Sequence, residues 1–280
     1  MPIRFRWLGT ACFEFRLPTD EAVIVDPYMD DAFNCPLDSE GIKRADLICI
    51  THGHFDHVLD VGRLAGRLGS TVLCSRKVAV SIRDRLGVPE AQIQAVTAGE
   101  TLRRGAIRVE VVKAVHVDNR EYFAEQLDIE LTEETTIEDM VRKGFGGVED
   151  PLIREKLLSY LGKYPGGEQL NYIFRFPGNL KFYFYGSTPD PELLPLVEAA
   201  GAQILILQVL SGRERGAFEV AQRSGASIII PSHHDAFFPG QKVPDMEKLK
   251  GLFSREPGMT FLDPVPGQWY CIDLKVEAQE

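Results

Sequence analysis

The segment Thr51-His52-Gly53-His54-Phe55-Asp56-His57 limits the fold more tightly than any other stretch of the chain. It follows an apolar run at residues 47–50 whose side chains suit a buried strand. Side chains alternate along an extended backbone, so His52 and His54 leave the end of that strand on the same side. Neutral imidazole is a good zinc ligand, and two of them on one side begin a metal site. Asp56 and His57 fall where a helical pattern starts, with Val58, Val61, Ala65 and Leu68 on one face. The turn between strand and helix can swing them toward a second ion a short distance from the first. The competing reading of Asp56 is plain capping, because a carboxylate is favoured at the exposed N–H groups of a helix start. All six histidines lie in three places: His52, His54 and His57, then His116, then His233 with His234. None is left over for ordinary surface use.

The rest of the chain predicts an α/β or mixed α and β protein. Short runs rich in β-branched and aromatic residues at 23–25, 47–50, 71–74, 109–115, 172–176, 182–185, 204–210 and 228–230 read as strands. Helical spacing lies between several of them, as at Leu193, Leu196, Val197 and Ala200. Residues 118–169 break this rhythm and read as a helical insertion in a single domain spanning 1–280. Thr135 with Glu138 suits a capping box. Asp150 followed by Pro151 suits a helix start, with Ile153, Leu157, Leu158 and Leu161 on one face and Gly162 as the stop. So few large apolar residues in about fifty would make a marginal core alone, so the insertion is expected to lean on the main body as a lid.

A formal net charge of −10 speaks against a nucleic-acid binder, since phosphate backbones attract clustered Lys and Arg. A small-molecule substrate is expected instead. No apolar leader or membrane-length run is visible, so no membrane association and a cytoplasmic location are expected. Five scattered cysteines with no C-x-x-C pair cannot close a full disulfide framework and are expected to stay reduced. A homo-oligomer is compatible with all of this.

The Thr-His-x-His-x-Asp-His pattern after an apolar strand resembles the metal-binding signature of the metallo-β-lactamase superfamily. The resemblance covers the chain except the insertion. Trp7 to Phe13, followed by Val23-Ile24-Val25-Asp26-Pro27, is similar to the family's opening strands. His116 after the 109–115 run and His233 in Pro231-Ser232-His233 match its later ligands. The local likeness is greatest to the lactonase-like branch that includes L-ascorbate-6-phosphate lactonase. The resemblance implies a four-layer αββα sandwich and two zinc ions, one on His52, His54 and His116 and the other on Asp56, His57 and His233. One ion, or manganese or iron, is the alternative. It further implies a hydrolase in which a metal-bound hydroxide, oriented by Asp56, attacks a small and anionic lactone, ester or amide. Phosphodiester hydrolysis is the alternative on the same site. A di-iron redox protein of this fold typically shows glutamate at the position of His54.

One departure from the family pattern stands out. The family usually places a metal-bridging aspartate where Gly186-Ser187-Thr188 follows the strand at 182–185, and Ser187 cannot replace a carboxylate charge. The centre is then expected to hold two ions without that bridge, to hold one, or to be a non-catalytic binding module. Asp190 can substitute only in a reshaped turn. Asp26 is a candidate for orienting a ligand imidazole, against a simple turn with Pro27. His234 should point away from His233, toward the pocket rim or solvent. Asn119 and Arg120 begin the insertion just past His116. Arg213 and Arg215 sit in a loop where they bind a substrate anion or are merely solvated.

Overall fold

A computed structural model describes residues 2–117, 121–122, 124–125, 129–136, 139–140, 143, 150–161, 163–164, 166–236 and 241–273. The first sheet holds β1 (Ile3–Trp7), β2 (Phe13–Arg16), β3 (Ala22–Val25), β4 (Leu47–Cys49), β5 (Thr71–Ser75) and β6 (Ile93–Val96) in chain order, with β14 (Tyr270–Ile272) beside β1. The second runs β13 (Thr260–Phe261), β12 (Ile228–Ser232), β11 (Ile204–Gln208), β10 (Leu180–Tyr185), β9 (Leu170–Phe176), β8 (Ile107–Lys113), β7 (Thr101–Arg104). In each sheet four adjacent strands are parallel: β3 to β6 in the first, β10 to β13 in the second.

Parallel strands covered on both faces explain the unbroken apolar runs of the sequence. Along β10, Phe182 and Phe184 enter the layer between the sheets while Tyr183 and Tyr185 face outward under helices. Along β4, Leu47 and Cys49 point inward and Ile48 outward. The inner layer is rich in aromatic residues, with Phe5, Phe13, Phe15, Phe174 and Phe182 fully buried. Each buried phenylalanine contributes about 1.5–3 kcal/mol by leaving water. The outer face of the first sheet is covered by α1 (Phe55–Val58), α2 (Val61–Leu68), α3 (Arg76–Leu86) and α4 (Pro151–Leu161). That of the second is covered by α5 (Leu194–Ala200), α6 (Glu214–Ser224) and α7 (Met246–Phe253). The result is the four-layer αββα sandwich. Among the described residues no helix is long and apolar enough to cross a membrane.

Several local expectations shift. The helix after the histidine segment is two, broken at Leu59 and Asp60, because the Asp60 carboxylate turns back to accept the N–H groups of Met29 and Asp30. The strand expected at 109–115 ends at Lys113, so His116 sits in the following loop. In the insertion, Asp150 does cap α4 by accepting the Leu152 N–H at 2.8 Å, and Leu157 is buried. Ile153 is instead 44% exposed, so the apolar face is narrower than its spacing suggested. Thr136, not Thr135, takes the Asp139 N–H at 3.1 Å. Glu138 and Gly162 lie outside the described residues.

Candidate metal centre

Five of the six histidines meet at one rim, where the carboxyl ends of the parallel strands open into loops, the usual place for a site in such sheets. After β4 the backbone carries Thr51 to His57, which puts His52 and His54 in the connecting loop and Asp56 and His57 in the short helix α1 that follows. The loop after β8 brings His116, and the turn after β12 brings His233. Two groups result. In the first, His52 Nε2 lies 2.9 Å from His54 Nδ1 and 3.1 Å from His116 Nε2. In the second, Asp56 Oδ2 lies 3.2 Å from His233 Nε2 and 3.5 Å from His57 Nε2. Within each group all ligand atoms lie within 4.8 Å of one another. The rings of His52 and His57 are 3.9 Å apart, so the groups are adjacent.

The donor set fits divalent metal. Burial, followed by the neighbouring histidines, pushes His52 well below the ordinary imidazole range and His54 down to about 3. Burial lowers His116 as well. These rings are therefore neutral at neutral pH. His116 Nδ1 donates to Val117 O at 2.5 Å, and His52 Nδ1 faces the Thr51 hydroxyl at 3.1 Å, whose own proton goes to Asp26. His52 and His116 thus turn lone pairs, not N–H groups, toward each other at 3.1 Å. Two facing lone pairs repel one another, and a cation beside them removes the conflict.

Asp26 supports the second group. Its carboxylate accepts the Thr51 N–H at 2.7 Å, the Thr51 hydroxyl at 2.6 Å and His57 Nδ1–H at 2.8 Å, all without solvent contact. Asp26 thereby fixes the orientation of the His57 ring. Burial alone would lower His57 and raise Asp56. The ion pairs win in both cases: Asp56 and Asp26 raise His57, while His57 and His233 hold Asp56 well below the usual carboxylate range. Asp56 makes no capping bond, since α1 has no side-chain cap.

Ser187 is fully buried and looks inward. Its Oγ accepts the Val115 N–H at 3.2 Å and the Asn171 amide at 3.0 Å, pinning the loop that carries His116. Asp190 does not replace the missing carboxylate. It caps the short helical turn at Pro191–Leu193, accepting the Glu192 N–H at 2.8 Å. His234 departs from expectation: it is not at a solvent rim but buried, stacked on Trp7 at 4.4 Å with its Nε2 3.2 Å from Asp263. The reason is that the turn at His233 is left-handed, with φ +56°, so the strand alternation assumed for its neighbour fails. Arg213 pairs with Glu125 at 2.7 Å and lines a cleft of about 460 Å³ with His116, Glu121, Thr188 and Asp190. Arg215 is exposed. Asn119 and Arg120 lie outside the described residues.

Gly166 is a site residue that the sequence reading missed. Its carbonyl accepts the Gly53 N–H at 2.7 Å, and a Cβ there would come within 2.8 Å of His54 Nε2. The Gly166-Gly167 pair was a visible turn signal, but nothing in the sequence tied it to a histidine a hundred positions away. Asn171, which holds Ser187, stood just before the apolar run at 172–176, and only the structure draws it into β9.

The model of the metallo-beta-lactamase superfamily matches residues 6–152. The chain is 27% identical over 275 residues to a UPF0173 metal-dependent hydrolase of Solibacter usitatus, covering 94% of this chain and 98% of that one. It is 23% identical to the Rubrobacter xylanophilus UPF0173 metal-dependent hydrolase, over 84% of this chain and 82% of the relative. In fold it is similar to a metallo hydrolase from the hyperthermophilic archaeon Ignicoccus hospitalis, with a TM-score of 0.69 at 13% identity over 98% and 100% of the two chains. The chain is a metal-dependent hydrolase and belongs to the metallo-beta-lactamase superfamily.

Proposed function

We propose that this hydrolase works with two zinc ions on a small anionic lactone, ester or amide. The observation that carries this reading is the pair of adjacent three-ligand groups, His52, His54, His116 and Asp56, His57, His233. Held by these residues, two ions would supply a nucleophilic water at neutral pH and polarise the bond to be cleaved. The chain's own residues do the rest. Burial keeps the first three imidazoles neutral and ready to ligate, and Asp26 fixes the ring of His57. Asp56, at the second group, orients the attacking water. Five imidazoles and one carboxylate leave a two-ion centre cationic, since Ser187 adds no charge, and this favours an anionic substrate. The cleft beside His116 has the volume of a small-molecule site, and Arg213 at its wall is a candidate contact for the substrate's anion.

The test combines metal analysis with turnover. Purified protein should carry about two zinc equivalents per chain and hydrolyse lactones or esters bearing a carboxylate or phosphate, and chelator should abolish that activity. Turnover of bis-p-nitrophenyl phosphate with none on lactones, esters or amides would replace the substrate class with phosphodiesters. Iron accompanied by flavin would replace hydrolysis with redox chemistry.

A further inference from the structure

Two loops from opposite sheets are bound together behind His233. Thr10, after β1, has φ +48°, and His233, after β12, has φ +56°, both in the region that side chains other than glycine rarely adopt. The Thr10 carbonyl accepts the His233 N–H at 2.7 Å and the Trp7 indole N–H at 2.9 Å. In return the Thr10 N–H is received by both oxygens of Asp235, each at 3.0 Å. Gly9 makes room for that carboxylate: a Cβ there would stand 3.3 Å from Asp235 Oδ2, on a backbone with φ +101°. Stacking of Trp7 on His234 and the His234–Asp263 contact close the same junction from its other side.

From this geometry we propose that Asp235 is a positioning residue for the second metal-holding group, an inference resting on the two-group reading above. The left-handed backbone at His233 aims its Nε2 at Asp56, 3.2 Å away, and a strained conformation persists only where its surroundings over-determine it. Asp235 supplies that determination through Thr10. Without it the buried Thr10 N–H loses its acceptor, the two loops part, and His233 relaxes toward ordinary backbone angles, carrying its imidazole off the group. The first group lies on other loops and is untouched.

The test is a cobalt(II) titration of metal-free protein, read by ligand-field absorption and equilibrium dialysis. The unmodified chain takes up two equivalents. Asp235→Ala retains the first with unchanged affinity and binds the second about 10–100-fold more weakly, the range for losing an outer-shell partner. The weakened equivalent is the one that His233→Ala loses. Asp235→Asn, which keeps size and one acceptor oxygen, weakens that equivalent less. Both variants binding both ions as the unmodified chain does would overturn the proposal, as would equal weakening at the two groups. A chain that takes up only one equivalent before any substitution would instead overturn the two-group reading, and the role of Asp235 with it.

Discussion

The two candidate metal-binding groups are neighbours built on different electrostatic plans. The first is histidine only, and two of its members, His54 and His116, are partly open to solvent. Burial has already stripped the second proton from its rings, leaving them neutral, and the outer partners of His52 and His116 are neutral as well: the Thr51 hydroxyl and the Val117 carbonyl. The second is buried throughout and carries the centre's one carboxylate ligand, with a second carboxylate, Asp26, directly behind His57. There the pKa of His57 is raised, because two nearby anions outweigh the cost of burying its charge. A chain that lacks the bridging carboxylate therefore concentrates its negative charge on one side of the centre, and ion binding there competes with a proton.

The largest effect should come from breaking the first group. His52→Ala is expected to lower turnover by roughly a thousandfold or more, since removing an ion forfeits several kcal/mol of transition-state stabilisation. Steady-state kinetics with metal analysis checks this, and near-normal turnover would mean that the second group suffices alone. Asp26→Asn should weaken the second group by about 10–100-fold in metal affinity and the first by less, because it touches His57 directly but reaches His52 only through the Thr51 hydroxyl. Competition with a chelator at each equivalent separates the two.

The protonation difference gives a third measurement. His57 has its pKa raised in the folded protein, so below that value a proton must leave before an ion binds. The second group's affinity should rise with pH by up to about tenfold per unit until His57 is deprotonated, then level off. The same linkage makes the ionised His57 a stabilising feature of the metal-free fold at low pH that is lost as pH rises through its folded pKa. The first group, with His54 down at about 3, should show a flatter dependence across neutral pH. Parallel slopes for the two equivalents would break the comparison. The smallest effect is Gly166→Ala, whose methyl crowds His54 Nε2; overpacking of this kind costs about 1–3 kcal/mol, readable by denaturant unfolding.

Much of the fold was legible because burial leaves marks in composition. The runs that became β3, β5, β9, β10, β11 and β12 are apolar on both faces, and such runs admit few other readings. The edge strands were less visible. β7, reading Thr-Leu-Arg-Arg, is largely exposed, so nothing in its residues announces a strand; its pairing with β8 makes it one. The same contrast holds in the site. His52, His54, Asp56 and His57 lie within one short segment, where spacing alone predicts which side chains can meet. His116 and His233 were recognisable only by likeness to a family, and Gly166, Asn171 and Asp235 not by any local signal that tied them to the site.

What the sequence by itself determined is the chemistry on offer: a set of imidazoles and carboxylates with no cationic cluster, a strand-to-helix turn that presents four of them together, and a serine where a carboxylate bridge is usual. What only the tertiary structure decided is how those groups are protonated and aimed. That division has a physical cause. Ligand type is a property of each residue, whereas the neutrality of His54, the raised pKa of His57 and the left-handed turn at His233 arise from desolvation, charge and hydrogen bonds between segments far apart in the chain.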